Sequence, residues 1–220
     1  MSTRFAVLFF VLALGLSAKP KFKIIDKPIS FSKWRITETK KYIKHHYGED
    51  VKDITMKPVM VVVHWTAIYS LRSSWRYMNK EKMETGRKKL LKAGLNNIAV
   101  HFLVGQRGEI YRLMPENHIG RHCIGLNRKS IGIENVGGPK APLTRAQLEA
   151  NAWLIRYLAK KHKIKYVIGH QEYRNFENTP LFEELDPRYR THKIDPGKSF
   201  MRRLRHKLRD LKLKARYSAE

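Results

Sequence analysis

The spacing of apolar residues changes from segment to segment along this chain, and each change marks an element. Val59 to His64 is an unbroken apolar, β-branched run, the pattern of a central strand buried on both faces. Helical spacing covers much of Trp75 to Leu91, with Gly94 as its stop. Val100 to Val104 and Glu109 to Leu113 flank Gly105-Gln106-Arg107-Gly108, which predicts a hairpin. Ile131 to Asn135 predicts a further strand, closed by Gly137-Gly138-Pro139. Thr144 with Gln147 forms a capping-box pattern, and Leu148, Ala152, Ile155, Leu158 and Ala159 follow at helical spacing. Tyr166 to Gly169 is the next strand. Phe200 to about Arg216 reads as a basic amphipathic helix through Met201, Leu204, Leu208 and Leu211, and Thr37 to Tyr47 as a short one near the start. Strands and helices interleave, so the expected fold is α/β: a single domain with a central mixed β-sheet flanked by helices.

At 220 residues the chain suffices for one domain with a proper core. Arg4, the apolar run Phe5 to Leu16 and the small pair Ser17-Ala18 have the layout of a secretory signal, too short for a membrane span of roughly 20 residues. The expected division is residues 1–18 as signal peptide, 19–57 as a basic arm laid over the domain, 58–200 as the domain itself and 201–220 as a basic helix and tail. Such a chain is exported, periplasmic or secreted, with association to the envelope. Cys123 is the only cysteine, which excludes an internal disulfide and cysteine-rich zinc sites and suits a small buried side chain. The net charge of +26 favours polyanionic partners. In an exported protein these are anionic envelope polymers met by the basic surface; neither nucleic acid nor a protein partner is expected.

Three distant segments carry candidate chemistry: Val61-Val62-Val63-His64-Trp65-Thr66-Ala67, Ile168-Gly169-His170 and Lys193-Ile194-Asp195-Pro196-Gly197. Each puts a zinc-ligand type at a strand end or in a turn. Two imidazoles and a carboxylate are what an open catalytic zinc site uses, with a fourth position left for water. Taken singly, each also has a plain structural reading: a histidine ending an apolar strand suits a hydrogen-bonded core, and Asp195 before Pro196-Gly197 suits a turn.

Together with two intervening segments, these motifs resemble the zinc-dependent N-acetylmuramoyl-L-alanine amidases, the superfamily of phage lysozyme-type amidases and peptidoglycan recognition proteins. The likeness runs from about Val59 to Phe200. It rests on His64-Trp65-Thr66-Ala67, His101-Phe102 leading to Gly108-Glu109-Ile110-Tyr111, Ser130 to Glu134, Gly169-His170 and Lys193 to Gly197. The resemblance implies that His64, His170 and Asp195 bind one zinc ion per chain. It implies that Glu134 orients and deprotonates the attacking water and that Lys193 stabilises the negative charge of the tetrahedral intermediate. His122 falls where the family often has a histidine near the substrate, so it is read as substrate contact or as structural. His101 matches a position that is not a ligand, and His45-His46 reads as a solvated pair. One departure stands out: Asp195 follows His170 by 25 positions, a longer interval than is usual in the family. The extra segment, 171–192, carries Tyr173, Phe176, Phe182 and Tyr189 and reads as a flap lining the cleft. His192 is an alternative ligand within it.

The implied function is an exported peptidoglycan hydrolase that cuts the amide between N-acetylmuramic acid and the L-alanine of the stem peptide, with peptidoglycan or muropeptides as its partner. Two other classes stay open. One is a non-catalytic peptidoglycan-binding module, which retention of every ligand position disfavours. The other is a polyanion- or membrane-binding protein driven by its basic ends.

Overall fold

The computed structural model of the protein describes residues 22–218, and the expected leader at 1–18 lies outside the described residues. Within these residues six strands form one sheet: β1 (Ile24–Asp26), β2 (Met60–Trp65), β3 (Phe102–Val104), β4 (Ile110–Arg112), β5 (Ser130–Asn135) and β6 (Tyr166–Gly169). Their order across the sheet is β1-β4-β3-β5-β2-β6, and only the β3–β4 hairpin pairs antiparallel. The sheet is therefore mixed. β2 lies between β5 and β6, which is why its residues Met60 to His64 can be apolar without alternation: both faces are covered and all five are buried.

Among the described residues five helices pack around the sheet: α1 (Lys33–Tyr47), α2 (Leu71–Asn79), α3 (Lys88–Lys92), α4 (Arg145–Lys161) and α5 (Lys198–Lys207). Along β3, Phe102 and Val104 enter the main apolar core, which contains Leu148, Ile155 and Leu158 of α4. Leu103, pointing the other way, enters a second cluster with Met78 of α2. Helices thus cover both faces. α4 starts as the sequence pattern predicts, with Thr144 and Gln147 making both bonds of a capping box. Its Leu154, Ile155 and Leu158 are fully buried, and each contributes about 1.5–3 kcal/mol through burial.

Residues 22–57 are built into the domain. β1 adds an edge strand beside β4, and α1 runs from its Ser32 cap to Gly48, whose left-handed conformation (φ 72°) closes the helix. The buried face of α1 brings Tyr42, Ile43 and Tyr47 into the main core. Two helices expected as continuous are interrupted. The segment from Trp75 to Leu91 divides into α2 and α3 because other side chains claim the carbonyls at the end of α2. Arg35 of α1 donates to the carbonyls of Met78 and Lys80, and Asn97 donates to those of Tyr77 and Lys80. At the carboxyl end, α5 stops at Lys207 and a single 3-10 turn follows at Arg209–Leu211. The chain then reverses at Lys212 and lays Lys214 alongside Tyr166 as a one-residue parallel bridge on the outer edge of β6.

The 171–192 segment is mainly a buttress: Tyr189, along with Thr191, lines the cleft as the aromatic pattern suggested, but Tyr173, Phe176 and Phe182 do not. It opens with a 3-10 helix at His170–Phe176, and Tyr173, Phe176 and Tyr189 point into the core. The Tyr173 hydroxyl donates to the Thr191 carbonyl (2.8 Å) and accepts from the Thr191 N–H (2.9 Å), so the excursion is tied shut. Phe182 covers Gly125, where a Cβ would come within 2.5 Å of its ring. His46, read from sequence as solvated, is 1% exposed, while its neighbour His45 stays on the surface. The Nδ1 of His46 meets Glu184 Oε1 at 2.8 Å and its Nε2 meets the Ala93 carbonyl at 2.7 Å. Removing one member of a buried, hydrogen-bonded pair strands the other. Glu184→Ala is therefore expected to lower unfolding stability by about 3 kcal/mol. Equal denaturation midpoints for variant and parent would show that the buttress does not depend on this pair.

Candidate active site

Parallel pairing sets the site. β2 aligns with β5 so that His64 stands opposite Glu134, and with β6 so that Val63 stands opposite Gly169. The carboxyl ends of the three strands therefore meet at one edge, the usual place for ligands in such sheets. His64 is the penultimate residue of β2, Glu134 the penultimate residue of β5, and His170 follows β6 directly. Asp195 arrives from the turn before α5, across a cis Asp195–Pro196 bond. Gly169 makes room for that turn, since a Cβ there would lie 2.8 Å from Pro196. Gln171 then pins it from both sides, its N–H donating to the Asp195 carbonyl (2.9 Å) and its Oε1 accepting from the Gly197 N–H (3.1 Å).

The sequence-predicted ligands come together. His64 Nδ1 and His170 Nδ1 are 2.9 Å apart, and Asp195 Oδ2 lies 3.3 Å from the first and 3.0 Å from the second. All three side chains are buried. Burial pushes the Asp195 carboxyl up, but the adjoining His170 and His64 rings outweigh it and hold the group well below the ordinary carboxylate range. Burial, reinforced by His64, lowers His170 to about 4. Neutral imidazole and ionised carboxylate are the forms that bind a metal. Donors at the usual 2.0–2.1 Å from a tetrahedral zinc would be spaced about 3.3 Å apart. The observed triangle is close to that, and a cation would satisfy all three electron-rich atoms where one proton can bridge only a single edge. The donor set fits zinc. His192 is exposed and has no place in this cluster.

Glu134 and Lys193 line the same cleft, of about 230 Å³, as the three ligands. Glu134 is 9% exposed, and its Oε2 has no hydrogen-bond partner among the described residues. Burial pushes its carboxyl up to about 7, against the pull of His64. A buried carboxylate with a free oxygen beside a metal-type cluster is placed to take a proton.

His122 has partners other than a substrate. Its ring packs edge-on behind His64, with Nδ1 3.2 Å from His64 Nε2 and Nε2 3.2 Å from the Ser130 carbonyl. Both nitrogens are engaged within the protein, and burial, then His64, hold the ring's pKa well below the usual value. His101 is structural, as expected: its Nδ1 accepts from the Gly132 N–H (3.0 Å) and its Nε2 faces the His118 carbonyl (2.8 Å). Cys123 is buried, and burial raises its thiol far above the ordinary range.

Two cleft residues escaped sequence reasoning. Arg121 is 5% exposed and spends its guanidinium on the carbonyls of Leu90, Gly94 and Asn96 and on the Tyr189 hydroxyl. It fixes the loop after α3 against the buttress. Arg87 also lines the cleft, with its guanidinium on the Tyr77 hydroxyl, and makes no ion pair among the described residues. Nothing in residue spacing signals either, because the partners of Arg121 are backbone carbonyls and the distant Tyr189, and that of Arg87 is a tyrosine hydroxyl ten positions away in α2.

The sequence profile of the N-acetylmuramoyl-L-alanine amidase family matches residues 54–198. No curated protein matches the chain. Among solved structures, the N-acetylmuramoyl-L-alanine amidase LysC from Clostridium intestinale URNW superposes with a TM-score of 0.55 at 20% identity, covering 86% of this chain and 99% of that one. The endolysine amidase LysCS from the same organism gives 0.55 at 20% identity, with 87% and 99% covered. The Drosophila peptidoglycan recognition protein SD gives 0.45 at 16% identity, with 70% and 85% covered. The two clostridial structures share the fold described above, and the profile match takes in His64, Glu134, His170, Lys193 and Asp195. This chain belongs to the N-acetylmuramoyl-L-alanine amidase family.

Proposed function

We propose that the protein is an exported, zinc-dependent peptidoglycan hydrolase that cleaves the amide joining the lactyl group of N-acetylmuramic acid to the L-alanine of the stem peptide. The observation that carries this reading is the buried His64–His170–Asp195 triangle, with the unpartnered Glu134 oxygen sharing its cleft. His64, His170 and Asp195 would hold the ion. When bound, zinc supplies Lewis acidity toward the amide carbonyl and acidifies a water. Glu134 would take a proton from the attacking water as the water oxygen bonds to the carbonyl carbon, which requires the ionised carboxylate. The same residue returns the proton to the departing nitrogen as the C–N bond breaks, leaving a lactyl carboxylic acid and a free peptide amine, between which the remaining water proton passes to give carboxylate and ammonium. Lys193 sets its ammonium toward the charge that builds on the carbonyl oxygen.

The surface supports a second element of the proposal, retention on anionic envelope polymers. Lys198, Arg202, Arg203 and His206 of α5 are exposed and without ion pairs among the described residues, whereas Arg205 and Lys207 are matched by Glu172 and Glu149. This strip of unmatched charge begins three residues after Asp195. Export rests on residues 1–18, where Arg4, the apolar run Phe5 to Leu16 and the small pair Ser17-Ala18 support it.

Purified protein is expected to carry about one zinc ion per chain. His64→Ala should lose both metal and release of stem peptide from sacculi. Glu134→Gln should keep the metal and lose activity by at least 100-fold, the scale of a general base. Stem-peptide release by both variants at the parent rate would refute the mechanism. Glu134 also predicts a pH effect in the metal-free protein. Its carboxyl is raised in the fold, so its contribution to stability is present at low pH and is lost as pH rises through about 7. Chelator-treated Glu134→Gln should therefore melt above the parent at pH 8 and level with it at pH 4. Identical melting at pH 8 would mean the carboxylate is not desolvated. For the α5 strip, charge reversal at Arg202 and Arg203 should weaken binding to a phosphodiester wall polymer at low salt while turnover of a small muropeptide stays unchanged. Parent-like polymer binding by that variant would remove the strip from the proposal.

A further inference from the structure

His64 has two ring nitrogens, and only Nδ1 faces His170 and Asp195. What decides whether that nitrogen carries a lone pair or a proton is the partner of the other one. The Ser130 carbonyl can only accept, so the His122 Nε2 that faces it at 3.2 Å must be the protonated nitrogen of a neutral ring. His122 Nδ1 is then a lone pair, and His64 Nε2, 3.2 Å away, must donate to it. His64 Nδ1 is left unprotonated and aimed at the cluster. The direction of the whole chain is fixed by one backbone carbonyl.

The ring of His122 is held for this task. Gly132 lies directly beneath it, where a Cβ would sit 2.9 Å from Cγ and Nδ1. The His101 ring stands edge-on at 5.8 Å, itself locked between Gly132 and His118. The backbone N–H groups of His122 and Cys123 both donate to Asn127 Oδ1, at 2.8 and 2.7 Å, and Asn127 Nδ2 donates to the Tyr47 hydroxyl of α1. From this arrangement we infer that His122 is a positioning residue for the metal centre: it selects the Nδ1-binding tautomer of His64 and sets the angle of its ring. The inference rests on the metal reading above and replaces substrate contact as the role of His122. It also accounts for the glycine in the middle of β5, since any side chain at 132 would displace the relay.

The test is zinc affinity by competition with a chromogenic chelator, on the full chain, for the parent, His122→Phe and His122→Asn. Phenylalanine keeps a ring and removes the acceptor; asparagine places Oδ1 near the lost Nδ1. His122→Phe is expected to bind zinc 10–100-fold more weakly, the usual effect of removing a ligand's outer partner. His122→Asn should recover most of that loss. At saturating zinc the KM for a small muropeptide should match the parent in both variants. Nitrogen-15 NMR of the metal-free parent should show His64 with its proton on Nε2, and His122→Phe should populate both tautomers. Parent-like zinc affinity in His122→Phe, or a raised KM with metal affinity intact, would overturn the inference and return His122 to substrate contact. A parent that takes up no zinc would instead bring down the metal reading itself, so the two failures are told apart.

Discussion

Parallel strands end on the same edge of a sheet, and the placement of chemistry in this protein follows from that constraint. With β2 flanked by β5 and β6, all running the same way, His64, Glu134 and His170 need no long loops to meet. Only Asp195 has to be delivered from elsewhere, and it arrives on a turn clamped at both ends by Gln171. A carboxylate and two imidazoles so near one another tolerate burial only if their charge state is controlled. The surroundings do this in opposite senses, keeping Asp195 ionised and His170 neutral.

The fold continues outward from that edge as a series of supports. Asn135 of β5 donates to the His64 carbonyl (3.0 Å) and accepts from Asn151 of α4 (2.7 Å), so the longest of the described helices is bonded to the strand end that carries His64. The 171–192 excursion, anchored on His46 and Gly125, steadies the wall that carries Tyr189 and Thr191. α1 serves both regions: His46 holds the excursion, and Tyr47 holds Asn127 behind His122. Rigid backing of this kind is what a site needs if donor atoms are to stay within a few tenths of an ångström of a working geometry.

Much of this was legible in the residues, and the part that was not shares a physical cause. The three ligand segments could be read because each couples a donor to a local signal, a strand end or a proline-glycine turn. The capping box of α4 and the β3–β4 hairpin were visible for the same reason. What stayed hidden depends on partners distant in sequence or on bare backbone. Glu184 lies 138 positions from His46, so nothing near His46 distinguishes it from the exposed His45. The break between α2 and α3 is enforced by Arg35, 43 residues before Met78, through carbonyls that have no sequence identity. Tyr173 and Phe176 looked suited to a cleft wall because aromatic content alone does not say which way a side chain points; burial sent them inward.

The two outer strands complete the picture. β1 is three residues long with Lys23 and Lys27 at its ends, and the far side of β6 is met by Lys214, whose N–H donates to the Lys165 carbonyl while its own carbonyl accepts from Val167. Neither flank presents a long ladder of vacant amides to a neighbouring molecule. Edge-to-edge pairing between copies is thus offered little backbone to grip, and the segment that follows α5 doubles as a cap on the sheet.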